Sequence, residues 1–153
     1  MTDTLTNLFP AAPLEMIPTS KGKAPYVVLK MLANGQQLER NELTKVLGET
    51  WRWGLQELRG DCFGCWLIHS VKKPNSRVTD LQLDPRHLSG CVKQDAAARL
   101  ERRKQLKHDS YKEAQQGWKR IPKAHTAMLE ADKAYFQSLG SAANDETGAN
   151  NHD

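Results

Sequence analysis

The stretch Gly48 to Gly60, GETWRWGLQELRG, most constrains what this chain can become. Trp51, Leu55 and Leu58 fall at i, i+4 and i+7, so they share one helical face. Arg52, Gln56 and Arg59 share the opposite face. The spacing predicts a short helix seated on a core and presenting donors outward. Glu49 suits its first turn, where an anion meets the positive end of the helix dipole. Gly54 falls inside it and weakens it by about 1 kcal/mol relative to Ala.

The flanking residues read as support. Pro25 to Ala33 is apolar at 26, 28, 29 and 32, a helical spacing, and Pro25 fits a first helical position. Asn34-Gly35 stops it. Glu39 to Leu47 resumes the helical period, and Gly48 turns the chain into the next helix. Beyond Gly60, Cys65 to Val71 and Val78 to Leu83 read as two strands. Lys72 to Arg77, with Pro-Asn-Ser at its centre, reads as a basic hairpin tip.

Helix, helix, glycine turn, helix, basic hairpin is an order that resembles the winged helix-turn-helix superfamily over about residues 24–86. LERNELTKVLG, WRWGLQELRG and WLIHSVKKPNSRVTDLQL carry the resemblance. It implies that the third helix enters the major groove of double-stranded DNA and that the wing grips backbone. By that resemblance Arg52, Gln56 and Arg59 are readers, and Lys72, Lys73, Asn75 and Arg77 are wing contacts. It also implies a regulator or accessory factor of bacterial or mobile-element type. Arg40 and Asn41 could sit near a phosphate. Four phosphate contacts (Arg52, Lys72, Lys73, Arg77) give an expected log–log salt slope of roughly −4.

Trp51 and Trp53 crowd the reading helix, and winged helices that bind proteins also exist. Trp53 discriminates between the two uses. Exposed amid few basic neighbours, it favours a protein partner; buried against the first helix, it favours DNA. RNA bound along a basic helix ranks third, because no aromatic stacking platform is visible.

Residues 1–24 hold Pro10, Pro13 and Pro18, which exclude helix over most of the span. Leu8, Phe9, Leu14, Met16 and Ile17 suit a segment packed on its own domain, strand-like, or else a disordered tail; docking on a partner is the less favoured reading. Residues 85–91 read as a linker. Val92 to Trp118 predicts a helix with ten bases and four acids over 92–125, the electrostatic footprint of a polyanion partner. Arg102, Arg103 and Lys107 are its expected DNA contacts. Ala96, Leu100, Tyr111, Ala114 and Trp118 fit a 3.5-residue seam that Arg103 and Lys107 interrupt. Pro122 is expected to break the helix and open a second one ending at Gly140, with Met128, Tyr135 and Leu139 on one face. The expected fold is therefore mainly α with a small β-hairpin: a winged helix-turn-helix domain (25–86) followed by a C-terminal helical hairpin (92–140). The hairpin offers a homodimer contact. The tail 141–153 is small, polar and acidic, and reads as disordered.

Cys62 and Cys65 form a C-x2-C pair, and His87 and Cys91 an H-x3-C pair. Such spacings can hold zinc. Against zinc, Cys65 opens an expected strand where a zinc knuckle needs a tight turn. The preferred reading gives the cysteines small apolar roles at a junction, and no cofactor is expected. Three cysteines without a leader pattern fit a reducing compartment, the cytoplasm. No run reaches the roughly 18 apolar residues of a membrane span. No nucleophile, paired carboxylates or phosphate loop stands at informative spacing, so an enzyme is not expected.

Overall fold

The computed structural model describes residues 4–148, with side chains through 140. The chain divides into two compact units, one ending at His108 and the other beginning at Asp109. It is mainly helical, with one small antiparallel sheet. The elements are α1 (Leu5–Leu8), α2 (Ala24–Leu32), α3 (Arg40–Leu47), α4 (Thr50–Arg59), β1 (Ile68–Lys72), β2 (Thr79–Leu83) and α5 (Val92–Gly148). Short 3₁₀ turns lie at Leu14–Met16, Asp61–Phe63 and Pro85–Leu88.

In the first unit α2 buries Tyr26, Val28, Leu29 and Leu32, the positions its spacing marks. The chain turns at Gly35 with φ +73. There an added Cβ would meet the Leu88 side chain at 2.9 Å. Leu43 anchors α3, and Gly48, at φ +60, turns the backbone into α4. Trp51, Leu55 and Leu58 face the core from α4. Trp51 donates its indole N–H to Thr44 Oγ1 at 3.0 Å, which ties α4 to α3. Gly54 is buried where α4 crosses the start of α2. A Cβ there would stand 2.7 Å from the Ala24 carbonyl carbon and 2.9 Å from Pro25 N. The helix tolerates its glycine because the crossing needs it.

The strands pair antiparallel, with Ile68 opposite Leu83 and Ser70 opposite Leu81. Leu38, just before α3, adds a third partner. Its N–H donates to Leu81 O at 2.7 Å, and Leu81 N–H donates back at 2.9 Å. β1 begins three residues later than Cys65. Gly64 and Cys65 both hold positive φ, and Trp66 N–H bonds back to Leu58 O instead of across the sheet.

Trp66 sits at the centre of the core. Phe9 meets its ring edge-on at 4.9 Å, and its indole N–H donates to Met16 O at 3.0 Å. The residues before α2 therefore belong to the core. Leu5, Phe9, Ala12 and Ile17 are buried in it. Of the two alternatives, packing and disorder, the segment takes packing on its own domain, through a helical turn and a 3₁₀ turn and not as a strand.

Two expectations for the C-terminal half are corrected. The helical hairpin is absent, because α5 is a single helix from Val92 to Gly148 with Pro122 inside it. Proline removes one backbone bond, yet strong helix formers on both sides carry the helix through. The tail expected to be disordered from 141 is helical through Gly148; the rest of it lies outside the described residues. Among the described residues no helix is long and apolar enough to cross a membrane.

Candidate nucleic-acid interface

α4 is held from beneath and from one side, which leaves its outward face open. Arg52 and Gln56 are exposed on that face. Arg52 Nε lies 3.2 Å from Glu49, an exposed pair of small energetic weight, and its guanidinium stacks 5.5 Å from the Trp51 ring centroid. Arg59 is committed elsewhere. It donates to Ile68 O at 2.6 Å and to Ser70 Oγ at 3.3 Å, joining α4 to β1. Burial, then the charges of Arg102 and Arg40, push its guanidinium down to about 10, still protonated at neutral pH. Arg102 Nε donates to Arg59 O at 3.0 Å. Arg52, Gln56, Arg59 and Arg102 all line one groove of about 660 Å³ beside the exposed face of α4, with Glu57 and Asp61 as its acids. Arg103 and Lys107, both exposed, lie 3.9 and 3.7 Å from Asp61.

The hairpin tip presents Lys72, Asn75 and Arg77 to solvent. Asn75 holds φ +60, a turn conformation that asparagine tolerates. Lys73 is different. Its ammonium contacts Glu39 at 2.8 Å and Asp80 at 3.3 Å. The hydrogen bond to Glu39 raises the lysine and lowers the carboxylate from their ordinary values. Arg40 also has a structural task. It donates to Thr79 O and Thr79 Oγ1, at 2.8 and 2.6 Å, and so fastens α3 to β2.

Trp53 is 53% exposed. It lines both the α4 groove and a second groove of about 340 Å³ that includes Lys23, Tyr26 and Phe63. It is neither buried against α2 nor remote from charge, since Arg52, Arg59 and Arg102 share its first groove.

The four residues weighed for zinc do not form a site. His87 Nε2 accepts from Leu67 N–H at 3.0 Å. The ring proton is then on Nδ1, which donates to Asp95 Oδ1 at 2.7 Å. Both nitrogens are used, so neither can ligate. Cys62 and Cys91 are exposed, while Cys65 is buried. Among the described residues no three metal-ligating side chains converge. The expected linker 85–91 is structural instead: it carries buried His87 and the capped turn that follows Asp84. The sequence reading missed the network around it. Asp95 accepts from His87 and from Arg99 at 2.8 Å. Arg99 lies 4.1 Å from the Trp66 ring centroid and donates to Phe63 O and Gly64 O. The i, i+4 spacing of Asp95 and Arg99 was the available signal.

Compared with family models, curated proteins and solved structures, the chain matches none.

Proposed function

We propose that this chain is a DNA-binding winged-helix protein, a regulator or accessory factor, with α4 in the major groove and the β1–β2 tip on the backbone. The observation that carries the reading is that one compact unit exposes both the polar face of α4, with Arg52 and Gln56, and a basic hairpin tip, with Lys72, Asn75 and Arg77. Support comes from the element order α2, Leu38 bridge, α3, α4, β1, β2, in which Leu38 pairs with Leu81 as a third edge of the sheet. The exposed cations Arg52, Lys72 and Arg77 supply phosphate or base contacts, and Gln56 supplies an adenine-type reader. Lys73, Arg59 and Arg40 hold the frame. Three free phosphate contacts in place of four lower the expected salt slope to about −3.

Site selection from a random duplex pool tests the reading. Arg52→Ala should weaken the selected site more than random DNA, whereas Lys72→Ala should weaken both alike. No enrichment, together with no binding at low salt, would overturn it. One observation favours a second reading. Trp53 stands half exposed between two grooves, a residue type and place common in protein hot spots. If DNA fails, capture of a protein that Trp53→Ala releases would establish an adaptor.

A further inference from the structure

Among the described residues, nothing covers an apolar face of α5 in the second unit. Eight large apolar side chains of α5 between Tyr111 and Leu139 are 50 to 77% exposed. Because Pro122 does not break the helix, two half-seams of the sequence join into one. Tyr111, Trp118, Ile121, Met128, Tyr135 and Leu139 now fall on a strict alternation of three and four residues, completed by Ala114, His125 and Asp132. A sustained 3.5-residue apolar period is the signature of a left-handed coiled coil. Between Tyr111 and Leu139 seven of the eight Lys, Arg, Asp and Glu residues lie off this seam (Lys112, Glu113, Lys119, Arg120, Lys123, Glu130 and Lys133); on it stand Asp132 and His125.

We propose that this face pairs with the same face of a second copy of the chain, antiparallel. Two observations choose this occupant. The first is area. Three exposed side chains of the seam are aromatic and Phe136 flanks it, each able to bury on the order of 150 Å². With the aliphatic ones the face supplies roughly the 800 Å² per partner of a stable interface. The second is charge. In a parallel pair, His125 would face His125 and Asp132 would face Asp132, like groups against like in the core. In an antiparallel pair with Trp118 opposite Tyr135, Ala114 meets Leu139, small against large. His125 then lies one layer, about 6 Å along the axis, from Asp132 of the other copy, and this contact occurs twice. The pairing does not rest on DNA binding, since no seam side chain is among the proposed DNA contacts Arg52, Gln56, Lys72 and Arg77.

Sedimentation equilibrium of the full chain at about 10–100 μM tests it. The expected species is a dimer, and Trp118→Asp should dissociate it at least tenfold while the first unit keeps its melting temperature. His125→Asp should weaken the dimer, and adding Asp132→His should restore it. A nitroxide on residue 116, in a chain with its native cysteines replaced, should report a pair separation near 30 Å. A parallel pair would give about 10–15 Å. A monomer at the highest concentration, a four-chain species, the short separation, or failure of the double variant to recover would each overturn the proposal.

Discussion

Gly54 is a helix-interior glycine that propensity alone marks for replacement. The backbone of Ala24 and Pro25 marks it otherwise, because a methyl group at 54 would press on main-chain atoms that cannot turn aside. Gly54→Ala should gain about 1 kcal/mol of helix propensity and lose more to overpacking, about 1–3 kcal/mol. The net loss is read as a lower urea midpoint; an increase would show that α2 and α4 separate freely. Arg99 closes the charge around buried Asp95. Arg99→Met should cost about 3 kcal/mol, because it strands a carboxylate that His87 alone must satisfy. Equal stability in urea would contradict that. Asp84 and Asp95 also set the acid limit. Burial by itself would raise both carboxyls. Hydrogen bonds from Arg86 and His69 to Asp84, and from His87 and Arg99 to Asp95, outweigh it and hold both below the ordinary range. A lowered folded pKa contributes stability that is present above the unfolded value of about 3.9 and is lost as pH falls through the folded value. These two carboxyls should therefore contribute no pH dependence to the melting temperature from pH 7 to about 5, and a fall below about pH 4. Asp84→Asn should flatten the fall.

At the scale of elements, the sequence was legible where side-chain period and glycine punctuation agreed. The α2 stripe, the Gly48 turn and the Trp51–Leu55–Leu58 face of α4 all lie where spacing puts them. It was illegible where one residue's long-range partner decides. Cys65 looks like the start of a strand, but β1 starts only at Ile68. Trp66 N–H is taken by Leu58 O and Leu67 N–H by His87, so neither is free for the sheet. Pro122 looks like a stop, yet the helix formers on either side of it carry α5 through. The candidate site divides in the same way. Exposure of Arg52, Gln56, Lys72 and Arg77 follows from helix phase and turn position. The capture of Lys73 by Glu39 and Asp80, and of Arg59 by β1, depends on contacts the period does not encode. Lys72→Ala and Arg77→Ala should each reduce the salt slope of DNA binding by about 1. Lys73→Ala should leave the slope and loosen the tip, read as faster amide exchange in β2. Equal slope changes for all three would return Lys73 to the wing contacts.

At the scale of the molecule, the net charge of +4 hides a gradient. Residues 92–125 hold ten bases and four acids, whereas 126–153 hold one base and five acids. If the proposed DNA binding holds, contacts along the basic stretch of α5 would steepen the salt dependence set by Arg52, Lys72 and Arg77. The most direct measurement is fluorescence anisotropy of the full chain on a labelled random duplex at about 50 and 200 mM salt. Micromolar binding with a log–log slope of about −3 or steeper is the predicted result. A slope near zero, or no binding at the lower salt, would contradict a DNA-binding role and leave exposed Trp53 as the feature to pursue.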